Sequence, residues 1–351
     1  MTDKKPVKIS LRVVILILTA VLVGYVIYQN WPDILDTLNH LQDADVFILL
    51  LLIPEQLFMY FACGQIFFSY LHAQKNVEKF SNKEILRIST ELNFVNRAIP
   101  VGGIGGLAFL TYRLRPHGVS AGQTSFLYVF RYAVTTVINY LQALVAIIVL
   151  LGLNMILDET KWIIPVALLM NFGVLLFLSF VIYVASTEKR IEKFAKIIEK
   201  IANFGGKILT FGRKKQVIRH EKIERYFEDI HVSVKTAKKN KKFLTKPMIW
   251  GVIYSFCEIG AYWLVAISLG RPELLPIILI SEAIGSVFDG IIPYGLYELG
   301  MAGTMIALGV DFATATIVTV MTRIITLLFT ILSGSLPYYL AIKGKKNERS
   351  A

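Results

Sequence analysis

Chemistry that depends on soft or nucleophilic side chains has little to work with in this chain. Two cysteines, Cys63 and Cys257, and five histidines are spread over 351 residues. Neither cysteine belongs to a CxxC pair and no histidine cluster accompanies them, so neither a metal site nor a disulfide framework is signalled. Both fall inside apolar runs, where a thiol packs as a small apolar group. The histidines (His40, His72, His117, His220 and His231) sit at loop or interface positions and carry no assigned chemistry. Acidic residues are scarce too: 25 Asp and Glu stand against 37 Lys and Arg, a net charge of +12. No nucleophile–base pair, metal-ligand spacing or cofactor motif appears, so no catalytic residue, cofactor or metal is expected. One decoy, Gly103-Ile104-Gly105-Gly106-Leu107-Ala108, fits the dinucleotide pattern G-x-G-x-x-A, but no βαβ context surrounds it.

What the chain does have is apolar length. It is 55% hydrophobic with a mean hydropathy of +0.59. Runs at about 10–29, 46–70, 121–152, 161–186, 247–269 and 313–342 reach the roughly 20 residues a spanning helix needs. The expected fold is an all-α integral membrane protein with about six spanning helices. The first run follows Lys4, Lys5 and Lys8 and lacks a small-x-small cleavage site, so it reads as an uncleaved signal anchor.

Two shorter apolar segments, about 84–112 and 273–309, are broken by proline and glycine. The first reads Ile99-Pro100-Val101-Gly102-Gly103-Ile104-Gly105-Gly106. The second reads Ile292-Pro293-Tyr294-Gly295-Leu296-Tyr297-Glu298-Leu299-Gly300. A hydroxyl–glutamate pair precedes each (Thr90-Glu91, Ser281-Glu282) and a Gly-Val pair follows each (Gly118-Val119, Gly309-Val310). An arginine then lies deep in the next apolar run, Arg131 and Arg323. Interrupted backbone at membrane depth is tolerated only around a cavity or inside protein, so each break is expected to be a re-entrant helical hairpin. The repeats span about 46–152 and 247–342 of a single polytopic domain. Gly102 and Gly106 also form a GxxxG, a spacing suited to close helix packing.

Charge sets the expected topology. With re-entrant hairpins, one side holds residues 1–12, 71–87, 113–118, 187–246 and 343–351, which carry 32 of the 37 Lys and Arg. The positive-inside rule makes that side cytoplasmic, with both termini inside a bacterial cell membrane. The hairpins then enter from opposite faces, which is an inverted-topology repeat. Trp31 and Trp162 fall at outer boundaries and Trp250 at an inner one, as an aromatic belt requires. The basic segment 187–246 holds 18 Lys and Arg against seven Asp and Glu. Helical apolar spacing at Ile191, Phe194, Ile198, Ile201 and at Ile223, Phe227, Ile230, Val234 suits amphipathic helices on an anionic inner leaflet, or a solvated loop that enforces topology. No nucleic-acid-binding fold signature accompanies the basic run.

Charged residues inside apolar segments cost at least ~2.5–3.5 kcal/mol each at mid-helix. This chain keeps Glu55, Glu91, Arg97, Arg131, Glu258, Glu282, Asp289, Glu298 and Arg323, numbers that allow each arginine an acidic partner. Arg131 and Arg323 are the expected anion-binding groups of a polar cavity enclosed by the hairpins, facing most naturally a lipid phosphate. Arg97, Glu91, Glu282, Glu298 and Asp289 are the further candidate binding residues. Pro100, Gly102, Gly103, Gly105, Gly106, Pro293, Gly295 and Gly300 are the candidate breaks.

The Pro-x-Gly-Gly-x-Gly-Gly break, the Gly-Val pairs, the Phe130-Arg131-Tyr132 run and the second break with Glu298 resemble the lysylphosphatidylglycerol synthase transmembrane (flippase-like) family. That family is the membrane half of the bacterial multiple peptide resistance factor. The resemblance covers about residues 10–342 and implies movement of an aminoacylated phospholipid, or a related lipid, between leaflets. It implies resistance to cationic antimicrobial peptides and central charged positions at Arg131, Arg323, Glu282 and Glu298. The full synthase carries a soluble acyltransferase domain after its membrane region, and this sequence ends at Ala351. The expectation is therefore lipid handling rather than synthesis. The alternatives are a phosphatidylglycerol lysyltransferase or its membrane subunit, a transporter of polyprenyl-phosphate carriers, and an ion-coupled small-solute transporter. Partners in these readings are a phospholipid or polyprenyl lipid, an anionic leaflet, and a separate acyltransferase or glycosyltransferase.

Overall fold

The computed structural model describes residues 44–73, 79–98, 104–154, 158–194, 196–197, 220–239, 242–289 and 295–348. Pro100, Gly102, Gly103 and Pro293 lie outside the described residues, as do the signal-anchor run and Trp31. The side chain of Asp289 lies outside them as well.

The chain is an all-α integral membrane protein. Five described helices are long and apolar enough to cross a bilayer: α1 (Val46–His72), α4 (Ala121–Gly152), α5 (Ile163–Val184), α7 (Phe243–Ser268) and α10 (Phe312–Lys343). Each coincides with a run read from the sequence to within a few residues. The flanks of these helices show apolar side chains outward. Leu332 is 78% exposed and Ile148 70%, which suits acyl chains and not water.

Four helices in the broken segments are shorter. α2 (Asn82–Ala98, 17 residues) packs on α3 (Ile104–Leu114, 11 residues). Likewise α8 (Leu275–Asp289, 15 residues) packs on α9 (Leu296–Ala307, 12 residues). Each falls short of the ~20 residues that span a hydrocarbon core. Small residues permit the close approach within each pair. A Cβ on Gly106 would strike the Asn96 side chain, and one on Gly300 would come within 3.1 Å of Phe288.

The turn after each pair is built alike. Gly118 and Gly309 adopt left-handed φ values of 79° and 88°, which glycine takes without penalty. The next residue's N–H then reaches back five residues: Val119 to the Leu114 carbonyl at 3.4 Å, Val310 to the Met305 carbonyl at 3.0 Å. Capping side chains start both following spans. Ser120 and Gln123 exchange hydrogen bonds with each other's backbone N–H, and Asp311 accepts from the Thr314 N–H at 2.8 Å. Asp311 also meets Arg271, which holds Glu273 as well. Burial opposes the Asp311 charge, but the Thr314 N–H and the Arg271 guanidinium outweigh it and hold the carboxyl below its ordinary value. A depressed carboxyl stabilises above its unfolded pKa, and that stabilisation is lost as pH falls through the folded value. Asp311→Ala is expected to cost about 1 kcal/mol at neutral pH, the size of a lost N-cap. The deficit should shrink below pH 4 in detergent thermal melts.

The chain divides into two compact units, each assembled from three stretches. One contains 53–141, 168–258 and 327–351, hence α2, α3 and Arg131. Its core centres on Tyr60, Phe67, Phe68 and Tyr70 of α1, packed with Ile85 and Leu92 of α2 and Leu110 of α3. α6 (His220–Lys239), from the basic segment, packs into this unit. Val234 and Ala237 are buried, and the Tyr70 hydroxyl donates to the Ser233 carbonyl at 3.1 Å. The protein itself thus covers part of the apolar face that the sequence left to a lipid surface or solvent.

The other unit contains residues up to 52, 142–167 and 259–326, hence α8, α9 and Arg323. Trp263 is fixed here by donating Nε1–H to the Pro272 carbonyl at 2.9 Å. Asp45 caps α1 through the Phe47 N–H, and its own N–H is bound by the Ser268 carbonyl.

Candidate functional site

In the unit that holds the first helix pair, Glu91 has a side chain with no solvent exposure. One oxygen meets Arg87 Nε at 3.0 Å, a turn earlier on α2. The other meets Arg113 Nε at 3.0 Å, at the end of α3. A single carboxylate thereby ties α2 to α3. Arg87 and Arg113 had been placed in cytoplasmic loops on charge counting, because both flank apolar stretches. Their long stems let the guanidinium groups reach a buried acid from helix ends. Thr90 is buried beside Glu91. Arg97 closes α2 within electrostatic reach of Tyr60, whose hydroxyl hydrogen-bonds Thr330.

Arg131 is placed differently. Its guanidinium lies 5.1 Å from the Tyr132 ring centre and 5.5 Å from that of Tyr254 on α7. Tyr128 and Cys63 lie within its electrostatic reach. The Nε atom is enclosed and has no hydrogen-bond partner. Among the described residues, no carboxylate comes within ion-pair distance of Arg131. Cation–π contact with tyrosine contributes ~0.5–2 kcal/mol, and it leaves the positive charge unneutralised. The Tyr254 hydroxyl in turn reaches Glu258 at 3.4 Å. Glu258 lies within electrostatic reach of Glu55, which accepts from the Gln56 side chain at 2.9 Å. Tyr254 thus touches both a cation and an acidic group.

In the unit that holds the second helix pair, Arg323 is neutralised. Its Nε is 3.1 Å from Glu298 Oε1, and its guanidinium carbon lies 3.8 Å over the Tyr297 ring. The second Glu298 oxygen accepts the Gly295 N–H at 2.6 Å, where the chain turns into α9 with a φ of 93°. Glu298 therefore caps α9 and anchors it to α10. Glu282 and Ser281 are buried on α8. A π-helical turn, Ile317–Met321, immediately precedes Thr322 and Arg323. Gly105 is part-buried on α3 and Gly300 lies at the contact of α9 with α8.

The two arginines that the repeat pairs in sequence thus differ in chemistry: one is clamped by an acid, the other is ringed by tyrosines. Tyr254 carries no sequence signal, because it lies on a helix remote from the motif. Glu298→Ala would remove a cap and leave Arg323 without this acid. We expect a loss of about 3–5 kcal/mol, read as a lowered thermal midpoint.

A family model described as Lysylphosphatidylglycerol synthase TM region matches residues 9–334. The chain belongs to this family. Membership makes it a multi-pass membrane protein of lysylphosphatidylglycerol-related lipid handling. No curated protein and no solved structure matches. The matched region includes Glu91, Arg131, Glu298 and Arg323.

Proposed function

We propose that this chain translocates a phospholipid headgroup between leaflets, with Arg131 as the group that meets the lipid phosphate. The observation that carries the reading is a guanidinium in a spanning helix with tyrosines around it and, among the described residues, no carboxylate in ion-pair contact. A cation so placed is costly unless an anion visits it, and guanidinium binds phosphate through paired donors. Glu258, in reach of the Tyr254 hydroxyl, and its neighbour Glu55 add the acidic groups that a lysyl ammonium requires. A lysyl-modified phosphatidylglycerol carries both charges and is the substrate this arrangement suits best.

The short packed helix pairs support re-entrant hairpins in an inverted repeat, since α2, α3, α8 and α9 are each too short to cross alone. The excess of Lys and Arg in 187–246 supports cytoplasmic termini in a bacterial cell membrane. Movement of lysylated lipid to the outer leaflet would lower its negative charge and so weaken binding of cationic peptides.

The test is transport by purified protein in liposomes, with fluorescent phosphatidylglycerol and its lysyl ester as cargo. Faster loss of inner-leaflet label than in protein-free vesicles is expected, with preference for the lysyl ester. No acceleration with either lipid ends the reading. If deletion of the gene removes a lipid species instead of redistributing one, synthesis replaces transport.

A further inference from the structure

A cavity of about 440 Å³ lies in the unit that holds Arg131 and uses none of the residues around that guanidinium. It opens between the C-terminal end of α1 and the start of α7. Gln65, Ser69 and His72 line it from α1, and Lys246 and Trp250 from α7. Phe243, Ile249 and Ile253 supply the apolar wall, and Ile249 is 54% exposed.

Among the described residues, the charge lining this cavity is of one sign. Lys246 lines it, and both Lys246 and Lys79 lie within electrostatic reach of His72. Among the described residues, no acid lines it. The His72 Nε2 accepts the Phe80 N–H at 2.9 Å, which places the ring proton of neutral His72 on Nδ1 as a donor. A comparable cleft beside α6 lacks this character, because Glu188 lies 3.8 Å from His231 there. A cavity of a few hundred Å³ with apolar walls and a few convergent polar groups is the size and make-up of a small-ligand site. Tryptophan beside lysine at the end of a spanning helix marks headgroup depth.

We infer that this cavity binds the phosphate headgroup of an anionic phospholipid drawn from the leaflet that borders Lys246, with its acyl chains along Ile249 and Ile253. The charge complementarity selects an anion, and the exposed apolar wall selects a lipid over a free phosphate. On the charge-based topology this is the cytoplasmic leaflet.

The experiment is a lipid titration of the detergent-purified full chain, followed by thermal melting, in an Arg131→Ala background. That background removes the proposed transport site and leaves this cavity intact, so the two readings fail separately. Phosphatidylglycerol is expected to raise the melting midpoint. Phosphatidylcholine should do so much less, and inorganic phosphate or glycerol 3-phosphate not at all. Lys246→Glu, at an exposed position, should cut the phosphatidylglycerol shift to about half or less. An equal response to phosphatidylcholine or to soluble phosphate overturns the inference, and so does a Lys246→Glu response equal to that of Lys246. If Lys246→Glu fails to fold, the same question goes to photo-crosslinking of the unsubstituted chain with a headgroup-diazirine phosphatidylglycerol. Label on 65–73 and 243–253 supports the site, and label confined to other segments overturns it.

Discussion

Arg131→Ala should cut lipid transfer sharply while leaving the protein folded. The side chain makes cation–π contacts of ~0.5–2 kcal/mol but has no ion pair among the described residues, so its removal orphans no carboxylate in ion-pair contact. Holding a guanidinium inside a spanning helix is itself unfavourable, which offsets the lost contacts, and the thermal midpoint should move little. Transfer should fall by about tenfold or more, since one charge-assisted bond to phosphate is worth roughly 1.5–3 kcal/mol. Arg131→Lys keeps the charge and loses the paired donors, so transfer should be intermediate. The contrast is with Arg323→Ala, which leaves Glu298 without its guanidinium partner at 3.1 Å and should destabilise by about 3–5 kcal/mol. Transfer by the surviving folded fraction of that variant should remain measurable. Equal, full transport by Arg131→Ala, measured in the liposome assay, would overturn the assignment of phosphate to this guanidinium.

The five spans were legible because each is a long run whose apolar residues have only lipid and protein to meet. Pro and Gly marked where short helices replace long ones. The paired motifs differ in spacing. Arg131 follows Gly118 by 13 residues, whereas Arg323 follows Gly309 by 14. The second span contains the π-helical turn at Ile317–Met321 just before Arg323, and such a turn accommodates one extra residue. What the sequence did not disclose was partner choice. Glu91 was a candidate binding residue with no partner specified; pairing follows three-dimensional proximity, and Arg87 is one turn away on the same face. Arg113 is brought to Glu91 only by the fold-back of α3 on α2, which no local pattern specifies. Ser120 and Gln123 were a readable exception. A serine three residues before glutamine, ahead of an apolar run, is a helix-start signature.

Glu91→Ala is expected to be the most destabilising single substitution in the first helix pair. The carboxylate has no solvent exposure and contacts two guanidinium groups at 3.0 Å each. Its removal leaves Arg113, whose side chain is only 20% exposed, without this counter-charge, and it uncouples the ends of α2 and α3. Losing one partner of a buried pair costs about 3–5 kcal/mol, and the exposed Arg87 contact adds little beyond that. Glu91→Gln keeps the volume and removes only the charge. It should recover little, because an amide turns a donor toward one of two cations that carry donors only. Removing the cation as well discriminates this account from simple loss of packing. In Glu91→Gln with Arg113→Met the buried charge disappears from α3, and the double variant should be more stable than Glu91→Gln alone. Thermal melts of the four proteins form a double-mutant cycle. A coupling energy near zero would show that the Glu91–Arg113 contact does not hold α2 to α3, and the clamp would have to be sought in Gly106 and its contact with Asn96.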